Sequence, residues 1–206
     1  MPSATIRDFR PGDATDLYEV CLRTGDSGKD ATGLISQERL LGDVYVGPYL
    51  ELAPELALVA DDGVRAAGYA LAVLDTRKFE AECQQVWWPQ LRARYLNPVP
   101  DSTSGIIEAE LLAIVKDPAL ARHPELPGYP SHLHIDLLPH IRGGGIGSRM
   151  LTTLFARLRA AGSVGVHLGV ATSNSAAQRF YDRLGFVDLI RAGDELYMGL
   201  SWEAGS

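Results

Sequence analysis

The stretch His134–Ile135–Asp136–Leu137–Leu138–Pro139–His140–Ile141–Arg142–Gly143–Gly144–Gly145–Ile146–Gly147–Ser148 decides how this chain is read. It runs from a short apolar strand through a glycine-rich turn into an amphipathic helix. Glycines at 143–145 and at 147 leave the backbone bare, so its N–H groups can close on an anion. The N-terminus of the following helix adds a favourable dipole, and Arg142 sets a cation beside the turn. The natural guest is a phosphate or pyrophosphate. The bland alternative is a glycine turn with an anion nest and no function.

Two familiar phosphate loops are excluded. A Walker A loop ends in Gly-Lys-Ser/Thr, whereas Gly147 is followed by Ser148 and Arg149. A dinucleotide fingerprint needs G-x-G-x-x-G, but counting from Gly143 and Gly145 the third glycine position is Ser148. What is left is Arg142-x-x-Gly145-x-Gly147 between a strand and a helix.

Working outward, Ser131–Leu138 reads as the central strand. Its alternation puts His132, His134, Asp136 and Leu138 on one face and Leu133, Ile135 and Leu137 on the other. Gly144–Ala161 reads as its helix, with Ile146, Met150, Leu151, Leu154, Phe155 and Leu158 as a continuous apolar face, stopped by Gly162. Val164–Ala171 is the next strand. Asn174–Leu184 is a helix stopped by Gly185, and Val187–Arg191 with Glu195–Leu200 form an antiparallel pair.

The N-terminal half carries weaker signals. Thr5–Phe9 alternates as an edge strand, and Arg10–Asp13 is a turn. Asp13 is expected to cap a helix over Ala14–Leu22 with Leu17, Val20 and Cys21 inward. Arg23–Thr32 is a polar loop long enough to reach a ligand, and Asp26 within it is a candidate acceptor contact. Ser36 could cap a short helix to about Leu41. Leu56–Ala60, Asp61–Asp62–Gly63 and Ala66–Leu74 read as a hairpin. Thr76–Leu96 reads as helical, with Phe79, Cys83, Val86, Trp87 and Leu91 recurring and Pro89 ending or kinking it. Trp87 and Trp88 are adjacent and cannot share one face. Asn97–Gly105 is a loop. Ser104–Val115 mixes helical spacing with β-branched residues, and helix is preferred. Asp117–Pro130 is irregular.

Composition bounds the function. The 206 residues, 46% of them hydrophobic, suffice for one substantial core. The formal charge of −7 argues against a nucleic-acid partner, which needs a basic face. Cys21 and Cys83 have neither disulfide framework nor metal spacing. The first residues lack the apolar core of a signal peptide, and no apolar run approaches membrane-spanning length. A cytoplasmic chain with no membrane partner and no metal is expected.

The loop resembles the R/Q-x-x-G-x-G/A element of the GNAT superfamily of N-acetyltransferases. Asn174-x-x-Ala177-x-x-Phe180–Tyr181-x-x-Leu184–Gly185–Phe186 resembles the second signature of that superfamily, in the right order and with a strand between. Ala67–Tyr95, with its Gly-Tyr-Ala-Leu-Ala run and Trp88–Pro89, and Tyr129–Asp136 are similar to the acetyltransferase-like domain of animal O-GlcNAcases and its free-standing bacterial relatives. In the animal domain the glycine loop is degraded, whereas this chain keeps Arg142, Gly145 and Gly147.

The resemblance implies acetyl-CoA as co-substrate. Backbone N–H groups of Gly143, Gly144, Gly145, Ile146, Gly147 and Ser148, with Arg142, are then expected to hold its pyrophosphate. Leu137 and Leu138 would pair with pantetheine, and Asn174 would touch the pantetheine arm or simply cap its helix. Tyr181 is the candidate general acid for the departing thiolate. Asp136 is the first candidate base, because a carboxylate in a central strand is costly unless paired or facing a wet cleft. His134 is a candidate substrate contact and partner of Asp136. Glu108 and Glu110 would qualify only if their segment were a strand.

The expected fold is mixed α/β: a central, mostly antiparallel sheet with a splayed parallel strand pair and helices on both faces. One acetyltransferase domain over residues 1–206 is expected, with a helical insertion at about 76–130. The expected activity is direct acetyl transfer to a primary amine, on a small molecule or a protein lysine. The alternative is a non-catalytic CoA-binding or protein-interaction module. The acceptor is not legible, and the Trp-bearing insertion offers a surface for a homodimer.

Overall fold

The strand at the centre, β4 (Ser131–Leu137), is the fourth of seven in a sheet ordered β1-β2-β3-β4-β5-β7-β6. The computed structural model describes residues 4–96 and 105–202. The expected Asn97–Gly105 loop therefore lies outside the described residues, apart from Gly105. β1 (Thr5–Asp8) forms one edge, and β2 (Ala57–Asp61) and β3 (Ala66–Val73) follow as the expected hairpin. In its turn the Asp61 and Asp62 carboxylates accept the N–H groups of Gly63, Val64 and Arg65. Every residue of β3 is buried, which its small sequence Ala-Ala-Gly-Tyr-Ala-Leu-Ala-Val permits with layers on both faces.

The only parallel pairing among the described strands joins β4 to β5 (Gly165–Ala171), and it is short. Its register is Ser131 to Val166 and His132 to His167, after which the two strands part. β4 stays paired with β3 as far as Leu137, and β5 stays paired with β7 (Glu195–Ser201) as far as Ala171. The splay thus opens between two strands that are each anchored on their other side. β6 (Val187–Ala192) closes the far edge.

The two faces are covered differently. On one, Leu133, Val166, Leu168, Ala70 and Met198 pack under helix α7 (Ile146–Ala160), whose Ile146, Met150, Leu151, Leu154 and Leu158 are all buried. The helix ends because Gly162 takes φ +91°. Gly162 N–H then reaches Arg159 O, and Ser163 N–H reaches Leu158 O. α8 (Ser175–Arg183) ends likewise at Gly185, with Phe186 N–H on Tyr181 O.

The other face is covered by α1 (Ala14–Leu22), α2 (Arg39–Tyr45), α3 (Gly47–Leu52) and the segment between β3 and β4. That segment holds α4 (Thr76–Glu82), a π-helical turn (Cys83–Trp87), α5 (Trp88–Tyr95) and α6 (Ile106–Lys116). Pro89 lies in the first turn of α5, where its missing N–H costs nothing, so the kink falls just before it. Trp88 is buried, while Trp87 donates from Nε1 to Asp43 O at 2.8 Å.

Three local expectations need correction. Asp13 makes no side-chain cap: its carboxylate takes both terminal nitrogens of Arg7, at 2.7 and 2.8 Å, and the Arg10 N–H. Ser36 starts no helix. Its N–H and hydroxyl both bond the buried Glu108, and α2 begins at Arg39. Val86 faces solvent, because the π turn shifts the helical phase. The sequence reading also missed α3 and the fully buried Asp43, whose charge is matched by Arg94 and Arg39 and hydrogen-bonded by Tyr18 and Tyr95. No helix among the described residues is long and apolar enough to cross a membrane.

Candidate active site

Where β4 parts from β5, a groove of about 750 Å³ opens. Its floor is backbone. Leu138 N–H bonds Ala67 O of β3 at 2.9 Å, so alternation turns the amides of Ile135 and Leu137 the other way, into the splay. The pantetheine expectation thus moves from Leu137 and Leu138 to Ile135 and Leu137. Leu138 is buried and outside the groove.

At one end of the groove lies the glycine turn. Gly143, Gly144 and Gly145 take φ values of +83°, +53° and +75°, a left-handed run that side chains with a Cβ strongly disfavour. A Cβ at 143 or 144 would meet nothing within 4 Å, so conformation and not space requires glycine there. Gly147 differs, because a Cβ would press on Phe180 at 3.3 Å and Leu137 at 3.4 Å. The first amides of α7, at Gly147 and Ser148, are orphan donors facing the groove. Gly144 and Ile146 do not line it, and Ile146 N–H turns back to Gly143 O at 3.4 Å.

Arg142 lines the groove beside the glycine turn. Arg142 is held by Leu137 O through Nε at 2.8 Å and by Gly28 O at 3.2 Å. Arg149, which the sequence reading passed over, bonds Gly144 O at 2.8 Å. Asn174 caps α8 through Ala177 N–H at 3.1 Å and extends Nδ2 to Ser27 O at 3.4 Å. The 23–32 loop is therefore a wall of the groove, contributed by Thr24, Ser27, Gly28 and Lys29. Asp26 is turned away, its backbone bridged to Lys29.

Tyr181 and Asp136 both line the groove. Burial, with the Asp136 charge adding to it, pushes the Tyr181 phenol well above its usual range. Burial also lifts the Asp136 carboxyl to about 6, against the opposing hydrogen bonds of Tyr69 and Thr24. Tyr69 lies directly across from Asp136 in the β3–β4 register and donates at 2.7 Å. Asp136 is thus partnered by Tyr69 and not by His134. Glu108 lies in a helix, bonded to Ser36 and Gln37, and does not line the groove.

Beyond the splay lies a second cavity of about 590 Å³, and Tyr45, His134 and Gly169 line both. Four imidazoles crowd this region, and their tautomers follow from their partners. Thr76 gives its single hydroxyl proton to Pro130 O, so His132 Nδ1 must donate to Thr76 Oγ1 at 2.9 Å. Burial holds His132 neutral, so its Nε2 accepts from the Tyr49 hydroxyl at 2.6 Å. His167 Nδ1 donates to Tyr129 O at 2.9 Å, and its Nε2 accepts from His123 Nδ1 at 3.1 Å. His134 has no hydrogen-bond partner among the described residues, and burial lowers its pKa to about 4.

The sequence reading expected no metal cluster, yet His123, His132 and His167 bring nitrogen atoms within 4.8 Å of one another, a spacing a metal ion could bridge. As folded, their nitrogens serve the hydrogen bonds just described, except His123 Nε2. Nothing in the sequence pairs His123 or His167 with the central strand, because the first lies in an irregular segment and the second on another strand.

Residues 112–186 match the Acetyltransferase (GNAT) family, and the match takes in β4, the glycine turn, α7, β5 and α8. Over 97% of its length the chain is 36% identical to the crystal structure of SsHAT, covering 98% of that chain with a TM-score of 0.88. The chain belongs to the GNAT acetyltransferase family. By class it is an acyltransferase. It is also 28% identical over 189 residues to protein O-GlcNAcase of Rattus norvegicus; the match takes in 91% of this chain but spans only 20% of that relative. The PaiA N-acetyltransferase of Thermoplasma acidophilum, solved in complex with coenzyme A, shares the fold with a TM-score of 0.59 at 16% identity. The mixed seven-stranded sheet with one parallel pair is the expected architecture of this family.

Proposed function

We propose that this GNAT member transfers the acetyl group of acetyl-CoA directly to a primary amine. The observation that carries the reading is the splay of β4 from β5 beyond His132 and His167, ending at three left-handed glycines and the N-terminus of α7. Amides of the glycine turn and of Gly147 and Ser148, with Arg142 and Arg149 beside them, suit a pyrophosphate. Ile135 and Leu137 offer amides to an extended pantetheine, and Asn174 stands at its flank.

In the reaction the neutral amine nitrogen forms a bond to the thioester carbonyl carbon. Asp136 accepts the proton that the nitrogen then sheds. The C–S bond breaks, the sulfur takes a proton from the Tyr181 hydroxyl, and the proton held by Asp136 restores the phenol. The elevated pKa of Tyr181 keeps it protonated until the thiolate forms, and an Asp136 pKa of about 6 keeps that group a base at neutral pH. His134, at the junction of the two cavities and with no hydrogen-bond partner among the described residues, is positioned to contact the acceptor.

Calorimetric titration with acetyl-CoA and CoA tests the reading. The intact chain is expected to bind both, and the double variant Arg142→Glu, Gly145→Asp to bind neither. Absence of binding by the intact chain would overturn acetyl transfer in favour of a protein-interaction module.

A further inference from the structure

The second cavity meets the groove at Tyr45, His134 and Gly169, and its chemistry is distinct. Tyr45, Tyr49, Phe79, Trp88 and Tyr197 contribute aromatic walls, and the imidazoles beside them are held neutral by burial. Two carboxylates line it. Glu80 is already matched by Arg77 and Arg122 and accepts the His123 N–H. Glu195 makes no salt bridge among the described residues.

The position of Glu195 is specific. It opens β7, paired with Ala171, and its side chain leans back over Gly169 of β5. A Cβ on Gly169 would overlap the Glu195 carboxylate, so the missing side chain makes room for that charge. Gly169 is one of the three residues that line both cavities. A carboxylate with the Tyr197 hydroxyl beside it and no cationic partner among the described residues therefore borders the point where groove and cavity join.

The cationic groups of the cavity point to what it excludes. Arg77 is committed to Glu80 and to the carbonyls of His123 and Pro124, and Arg122 to Glu80. Arg77 is thus closed to a carboxylate on the ligand, and Arg122 meets Glu80 through Nε alone, its side chain 61% exposed to solvent. The volume of about 590 Å³ falls in the range that encloses a whole small molecule, roughly 300–1,000 Å³, and exceeds what one lysine side chain fills.

We infer that the second cavity is the acceptor site and that it takes a small primary amine with an apolar or aromatic body and no acid group, its ammonium seated against Glu195 and losing one proton to solvent before the neutral nitrogen attacks. This rests on the acetyl-transfer reading above. Aromatic walls stabilise the cation as well as the body of such a ligand, and the carboxylate brings the nitrogen to the splay. Glu195 acts here as a binding residue that selects the acceptor.

The test compares 2-phenylethylamine with an Nα-blocked lysine peptide as acceptors, read as thiol release from acetyl-CoA. The aromatic amine is expected to exceed the peptide in kcat/KM by about tenfold or more. Glu195→Gln should raise its KM by roughly tenfold, with a smaller effect on kcat, and Glu195→Asp should recover part of the loss. A preference for the peptide, or an unchanged KM in Glu195→Gln, would overturn the inference. The two readings fail separately. Loss of acetyl-CoA binding removes acetyl transfer itself, whereas acetyl-CoA binding with a peptide preference removes only the cavity assignment. Should neither amine turn over while acetyl-CoA binds, calorimetry of 2-phenylethylamine against the CoA-bound protein decides. Binding weakened by Glu195→Gln supports the cavity, and no binding overturns it.

Discussion

On the α7 side of β4, Leu133 is closed into an apolar layer with Met150, Leu154, Val166 and Leu168. On the opposite side of the same strand, His132, His134 and Asp136 stand in line, facing Tyr69, Tyr49, Thr76 and the partner strand's His167 and Gly169. The backbone is shared and the alternation has period two, so the two environments are separated by one residue step. The apolar face can be closed by one long helix because its groups need no partners. The polar face cannot be closed that way. Each buried donor or acceptor needs a specific partner or an opening to solvent, and the seven helical and turn elements above it supply both.

The comparison predicts opposite phenotypes for the two faces. Asp136→Asn should lower kcat by about a hundredfold or more and flatten the rise in rate that the wild-type carboxylate imposes around pH 6, with the fold retained. An unchanged pH profile would remove Asp136 as the base. Tyr181 belongs to the α7-side cluster but opens on the groove, and Tyr181→Phe should lower kcat by about a hundredfold while leaving CoA affinity nearly intact; a large loss of affinity at unchanged turnover would instead make Tyr181 a packing residue.

Leu154→Ala, on the closed face, should do the reverse. It should destabilise the fold by about 2–5 kcal/mol in denaturant unfolding, with kcat preserved below the melting transition. If Leu154→Ala cost turnover as heavily as Asp136→Asn, the two faces would not be functionally separate.

Smaller effects test the ends of the comparison. Gly145→Ala forces a Cβ into a left-handed residue and should cost about 1–2 kcal/mol of stability, together with weaker CoA binding. The polar face should also show in the pH dependence of stability. His134 titrates near 4 in the folded chain and near 6.5 when unfolded, so between those values the unfolded state binds more protons. Stability carried by this residue is therefore lost as pH falls from about 6.5 towards 4. Asp136 opposes it, because its raised pKa favours the folded state as pH falls through about 6. His134→Asn should make the melting temperature less sensitive to acid over that window, and an unaltered acid slope would contradict the burial of its neutral form.

Much of the C-terminal half was legible because its signals are local. The Asn174 cap, the Gly162 and Gly185 stops and the alternation of β4 each act within a few residues, and each is found in place. The glycine turn was legible for the same reason, since only glycine repeats a positive φ three times. The N-terminal half was read less well because its side chains find partners far away. Asp13 serves Arg7 and not its own helix, and Ser36 serves Glu108 across 72 residues.

By itself the sequence determined the order of the strands, the strand that carries both faces, and the loop that an anion would meet, because periodicity and backbone conformation are properties of short segments. Tertiary structure alone decided which amides face the splay, that Arg142 is held by Leu137 and Gly28, that Asp136 is partnered by Tyr69, and that Glu195 reaches over Gly169. These depend on strand register and on where β4 and β5 part. Those features are set by packing between segments distant in sequence, so no local pattern announces them.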